Sequence, residues 1–191
     1  MKNKSILKVA MAALLLVAIT ACRDTSKNAK QSPQVSSSKT VAPKVADALP
    51  EAPSSPVLDM VGVLSPEDVR EIAEKSVEFD SLKLAQVAVV VVDDLKGMKA
   101  LDYATALANK WGVGHKETNN GITIVVKPKT PEAKGEVAIA TGKGMGGFLP
   151  DMMCESIINK EMIPRFKENK YGEAVKVALD KIKEILTRDK D

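Results

Sequence analysis

Aromatic side chains are scarce in this sequence, with one tryptophan, two tyrosines and three phenylalanines among 191 residues. A core must therefore be assembled from Val, Ile, Leu, Ala and Met. Histidine occurs once, as His115. One imidazole without a cysteine pair cannot complete a usual zinc site. No G-x-S-x-G turn accompanies it, which excludes a Ser–His–Asp hydrolase of that kind, and His115 reads as a loop residue. Cysteine occurs twice, at Cys22 and Cys154, too few for a disulfide framework. Cys154 reads as a small apolar residue on a helix face. The longest apolar run, Val9 to Ile19, falls short of the roughly 20 residues that span a bilayer.

Surplus positive charge is also lacking once the N-terminus is set aside. The first 21 residues carry Lys2, Lys4 and Lys8, then that apolar run, then Thr20 and Ala21, the build of a secretory signal peptide. Ile19-Thr20-Ala21-Cys22 resembles a bacterial lipobox, with isoleucine where leucine is commoner. The resemblance implies cleavage before Cys22, lipidation of its thiol, and attachment to the cell membrane or outer membrane through acyl chains. Each buried CH₂ contributes about 0.8 kcal/mol, so more than one chain anchors stably. An ordinary signal cut near Ala21 is the alternative. Subtracting the three lysines from 28 basic residues leaves 25 against 25 acids. A neutral mature chain gives no basic surface for nucleic acid.

What is present divides into a linker and one domain. Residues 22–56 hold the lipidated cysteine and SPQVSSSK, VAPKVADALP and EAPSSP. Ser, Pro, Ala and Lys dominate without a periodic apolar face, so this segment reads as a flexible tether. Residues 57–188 suit a single domain. Ser65-Pro66-Glu67-Asp68 opens a helix, with Ser65 as N-cap and acids in the first turn. Its apolar face is read as Val69, Ile72, Ala73, Ser76 and Val77. Leu84 to Val92 is nearly continuous valine and alanine, a strand buried on both faces. A helix over about Ala100 to Lys110 ends at Gly112, and Ile122 to Val126 forms a second strand. Strand, helix and strand imply a parallel pair. The loop Lys127 to Gly135 then turns into an antiparallel strand, Glu136 to Thr141. A helix with Met153, Cys154, Ile157 and Ile158 toward the core follows, then a crossing segment Met162 to Phe166. The last helix, Tyr171 to about Thr187, is the most regularly amphipathic. The predicted class is α/β, a small mixed sheet covered by helices.

The antiparallel pair has a geometric consequence. It sets Asn119 and Asn120 beside the glycine stretch Gly142, Gly144, Gly146 and Gly147, so that rim is the expected cleft. Asp93 and Asp94 should stand at the opposite rim. Gly142 to Gly147 formally matches G-x-G-x-x-G, but no further βαβ unit follows, so it reads as a turn closing the rim. Lys143 is followed by glycine, which excludes a Walker loop.

Leu58-Asp59-Met60-Val61-Gly62-Val63-Leu64-Ser65, the WGVG…NNGITIVV segment, TGKGMGGFLPD and Ile163-Pro164-Arg165-Phe166…Lys170-Tyr171 together resemble the TPM-domain family. The resemblance spans essentially all of Val57 to Leu186 and implies an α/β/α sandwich. It also implies two kinds of activity. Some members are phosphatases or hold calcium or another divalent metal through carboxylates at the strand rims. Others assist membrane complexes without catalysis. Carried over by position, the metal residues would be Asp59, Asn119, Asn120 and Asp151. Asn119 stands where the family has an aspartate and Gly146 where it has a glutamate, so two of four acids are missing. The leading expectation is a tethered exported lipoprotein that binds a protein partner in the envelope. The alternative is a metal-dependent phosphatase using Asp59, Asp151 and the Asn119-Asn120 turn.

Overall fold

The computed structural model describes residues 48–188. The expected signal peptide, Cys22 and most of the linker lie outside the described residues. Four strands form one sheet in the order β1 (Val57–Asp59), β2 (Gln86–Val91), β3 (Gly121–Lys127) and β4 (Glu136–Thr141). The first three are parallel and β4 is antiparallel to β3. Valine-rich β2 and β3 occupy the middle, where both faces are covered and an uninterrupted apolar run is tolerated.

Alternation along each strand sorts the core into two layers. Val87, Val89, Val91, Ile122, Ile124 and Ile139 pack under α1 (Pro66–Ser81), α3 (Asp151–Ile157) and α5 (Tyr171–Arg188). Val90, Val92, Val125, Ala138 and Ala140 pack under α2 (Ala100–Trp111). The α2 side combines small residues, Ala100, Ala104, Ala106, Ala138 and Ala140, with the large buried side chains of Tyr103 and Leu107. Thr123 lies between Ala88 and Ala140 in the register, and its buried hydroxyl has no hydrogen-bond partner.

Ser65 caps α1 as its sequence dictates. Its hydroxyl accepts from the Asp68 N–H at 3.1 Å, and the Asp68 carboxylate accepts in return from the Ser65 N–H at 3.2 Å. Helix α5 lies beside α1 and runs parallel to it. Glu71 pairs with Lys176, Lys75 with Asp180 and Glu78 with Lys183, so partners advance together along both helices. Each such surface pair contributes at most about 1 kcal/mol.

Three expectations need correction, and the crossing segment gains its conformation. Val77 is 57% exposed, and Phe79 takes its place in the core. Ile72, Ser76 and Phe79 follow the helical period, whereas Val77 stands about 100° round the helix from Ser76. Met153 is 40% exposed, while Cys154 and Ile157 face inward. The crossing segment is helical: a π-turn over Ile158–Met162 leads into α4 (Ile163–Lys167). The Ile163 N–H reaches back to the Ile158 carbonyl, and this wider turn accommodates Pro164, which has no N–H of its own to donate. Finally, the folded chain starts before residue 57. Leu49 is buried under α2, the Trp111 indole N–H donates to the Pro50 carbonyl at 2.8 Å, and Lys110 binds the Leu49 carbonyl at 2.8 Å. No helix among the described residues is long and apolar enough to cross a membrane.

Candidate functional site

The N-terminal end of β3 is where Asn119, Asn120 and the glycine stretch meet. The Gly142 N–H donates to the Gly121 carbonyl at 2.8 Å, and the Gly144 N–H to the Asn119 carbonyl at 3.1 Å. The backbones touch so closely that side chains are forbidden. A Cβ on Gly144 would stand 1.7 Å from the Thr118 carbonyl oxygen, and one on Gly142 2.1 Å from that of Asn119. Gly147 has open space instead. Asn119 takes φ of +49°, a left-handed conformation that asparagine tolerates.

Asn120 fastens this rim from within. Its Oδ1 accepts the His115 N–H at 3.0 Å and lies 3.1 Å from His115 Nδ1, while its Nδ2 donates to the Leu84 carbonyl. His115 Nε2 lies 3.2 Å from Asp80, so the lone histidine ties the loop before β3 to the last turn of α1. The Gly114 N–H donates to Gln86 Oε1 at 2.7 Å. A cavity of about 340 Å³ opens beside these contacts, lined by Lys83, Leu84, Asn120, Gly144, Met145 and Phe148. Phe148, Met152 and Met153 are exposed around the glycine turn and the first turn of α3.

The other rim, at the C-terminal ends of β1, β2 and β3, is acidic. Asp59 pairs with Val91 in register, and Val91 with Val126, so Asp59, Asp93 and Asp94 share this end. Asp59 Oδ1 accepts the N–H groups of Val61 at 3.0 Å and Gly62 at 2.8 Å, and Oδ2 accepts that of Leu64 at 2.8 Å. Its carboxylate thus holds the turn between β1 and α1. Asp94 accepts from the Lys96 N–H and pairs with the Lys96 ammonium, which holds its carboxyl below the usual range. At the start of α1, Asp68 receives the Lys176 ammonium at 2.8 Å. That contact and the Ser65 hydroxyl lower the Asp68 carboxyl, and Asp68 with Glu71 raises Lys176.

The four residues proposed for a metal are therefore not brought together. Asp59 and the Asn119-Asn120 turn lie at opposite ends of the strands, about 20 Å apart along the six residue steps from Val126, in register with Asp59 through Val91, to Asn120. Asp59 and Asn120 already spend their oxygens on backbone N–H groups. Asp151 opens α3 exposed to solvent. Calcium takes six to eight oxygens, several of them anionic, and these residues do not fit one such ion. No group of three His, Cys, Asp or Glu side chains placed to hold a metal occurs among the described residues. Cys154 is buried, and burial, with Asp151 second, pushes its thiol up to about 11, which keeps it protonated and unreactive.

What the sequence reading missed at this site is the exposed Phe148, Met152 and Met153. Their one legible trace was two consecutive methionines ahead of Cys154, a spacing that can bury only one face of a short helix.

Comparison with known proteins gives a consistent outcome. The family described as the TPM domain matches residues 57–185. The solution structure of the N-terminal domain of a protein from P. gingivalis superposes with a TM-score of 0.59 at 26% identity, over 71% of this chain and 83% of that one. The N-terminal domain of a Corynebacterium glutamicum protein aligns at 12% identity with a TM-score of 0.49, over 70% of this chain and 83% of that one. No curated protein matches.

Proposed function

The chain belongs to the TPM-domain family, and from that premise we propose that it is an exported lipoprotein whose domain works as a protein-binding module. In this reading the acyl chains on Cys22 hold it to the cell membrane or outer membrane. The domain then contacts a protein partner in a membrane-associated assembly.

One observation carries the choice of surface. Phe148 is 49% exposed, Met152 80% and Met153 40%, all within six residues of one another, and Phe148 lines the 340 Å³ cavity. Phenylalanine and methionine are enriched at the centres of protein interfaces. The glycine turn behind them is fixed by backbone contacts, so they are presented on a firm base. Nothing in the placement of Asp59 and Asp151 favours the metal-dependent phosphatase alternative.

The test is photo-crosslinking in intact membranes. A photoreactive residue at position 148 or 152 should give one discrete adduct, and the same probe at exposed Leu101 on α2 should give none. Phe148→Ser with Met152→Ser should abolish an adduct formed from position 153. Equal adducts from positions 148 and 101, or none from either, would overturn the reading.

A further inference from the structure

A cavity of about 660 Å³ lies away from the glycine turn, between the β3–β4 loop, α4 and the start of α5. Its floor is apolar. Phe166 and Tyr171 stack at 5.2 Å with 30° between their planes, beside Val137 and Ile163. Its edge is cationic, with Lys127, Lys129 and Lys167 facing a single acid, Glu136. Lys127 pairs with Glu136 at 3.6 Å, while Lys129 and Lys167 have no ion-pair partner among the described residues. Two positive charges are thus left without an answer at the mouth of an apolar hollow.

The walls are held in place before any ligand arrives. Thr130 and Ala133 exchange two hydrogen bonds, the Thr130 N–H to the Ala133 carbonyl at 3.0 Å and the Ala133 N–H to the Thr130 hydroxyl at 3.1 Å. Gly135 lets the two limbs of the loop approach, since a Cβ there would lie 3.1 Å from the Lys129 nitrogen. On the helical side, Asn169 takes φ of +60° and its N–H closes α4 onto the Phe166 carbonyl. A preformed pocket with an apolar body and few charged groups is the usual build of a small-ligand site, for which volumes run from about 300 to 1,000 Å³.

We infer that this pocket binds a small organic anion with an apolar body: a carboxylate at Lys129 and Lys167, and an aryl or alkyl group against Phe166 and Tyr171. Lys127, already neutralised by Glu136, contributes its stem and a weaker field. A bare inorganic anion leaves the floor empty, and a neutral apolar molecule leaves the lysines unanswered.

Titration of the full-length chain with 4-phenylbutyrate, followed by amide chemical shifts, tests this. Shifts should centre on Gly135, Val137, Lys167 and Asn169. Binding should be about tenfold tighter than for neutral 4-phenylbutanol or for inorganic phosphate, a difference of about 1.4 kcal/mol. Lys129→Glu with Lys167→Glu, both at exposed positions, should weaken phenylbutyrate about tenfold without moving the melting temperature. A short acidic peptide carrying one phenylalanine should bind no better than phenylbutyrate; clearly tighter binding would transfer the pocket to a peptide ligand and overturn the assignment. So would equal affinity for the alcohol, equal affinity for phosphate, shifts centred on the glycine turn, or no binding at the solubility limit. The site shares no residue with the Phe148 surface, so failure of one leaves the other standing.

Discussion

The two ends of this sheet are closed by opposite means. At the N-terminal end of β3 the chain largely dispenses with side chains: Gly121, Gly142 and Gly144 let three backbone segments touch, and the Asn120 and Gln86 side chains fasten them. At the other end carboxylates do the closing. Asp59 gathers three backbone N–H groups, Asp94 holds a turn with Lys96, and Asp68 accepts the N–H of the cap residue Ser65 while receiving Lys176. A glycine-rich turn and a row of strand-end acids both suggest ligand chemistry in a sequence. Here most of each is spent on holding the chain to itself. What remains free lies beside them: Phe148, Met152 and Met153 near the glycines, Lys129 and Lys167 on the hairpin side.

The largest expected effect separates glycines within one turn. Gly144→Ala should destabilise by about 3 kcal/mol or more, because neither neighbour is a side chain that can swing away. Gly147→Ala should change stability by less than about 0.5 kcal/mol. Chemical denaturation of both variants measures the difference, and equal losses would break the claim that backbone contact closes this rim.

At the acidic end, Asp59→Ala should cost about 1–2 kcal/mol through loss of the acceptor for three backbone donors, two of them at exposed positions where solvent can replace it. The same denaturation experiment reads it. A neutral result would mean the carboxylate is held for some other purpose.

A smaller effect depends on pH. The folded-state carboxyl of Asp68 is depressed by Lys176 and the Ser65 hydroxyl. Its contribution is therefore present above the unfolded carboxylate value, about 4, and is lost as pH falls through the lower folded value. Lys176 is shifted upward, so its share persists below about pH 10.4 and fades only as pH rises beyond the folded value. Asp68→Asn should lower stability by about 1 kcal/mol at pH 7 and by much less at pH 2. Melting curves at both values check the sign.

Much of this architecture was legible beforehand, for local reasons. The valine run of β2, the Ser65-Pro66-Glu67-Asp68 start of α1 and the length of the loop before β4 each carry their structure within a few residues. What escaped depends on distant partners. Leu49 and Pro50 join the fold only because Trp111 and Lys110, some 60 residues on, bind their carbonyls. Three-residue β1 exists because the Val89 N–H reaches Pro56 and the Met60 N–H reaches Val91. Without that strand's direction the residues do not assign Asp59 to an end of the sheet, and only the resemblance groups it with Asn119 and Asn120, which lie at the other end of the strands. The cavity between the hairpin loop and α5 has no sequence trace, since its walls come from two segments separated by 26 residues, from Val137 to Ile163.

The separation of the two rims is tested most directly by melting the full-length chain with and without millimolar calcium, in the wild type and in Asp59→Asn with Asp151→Asn. A ligand at 100 times its Kd stabilises by about 2.7 kcal/mol, a shift of several degrees. With Asp59 and Asp151 holding no common ion, calcium should leave the melting temperature of both proteins unchanged. A rise of several degrees in the wild type that disappears in the double variant would show that these carboxylates do converge on a cation, and would contradict the division of the sheet into two separately closed ends.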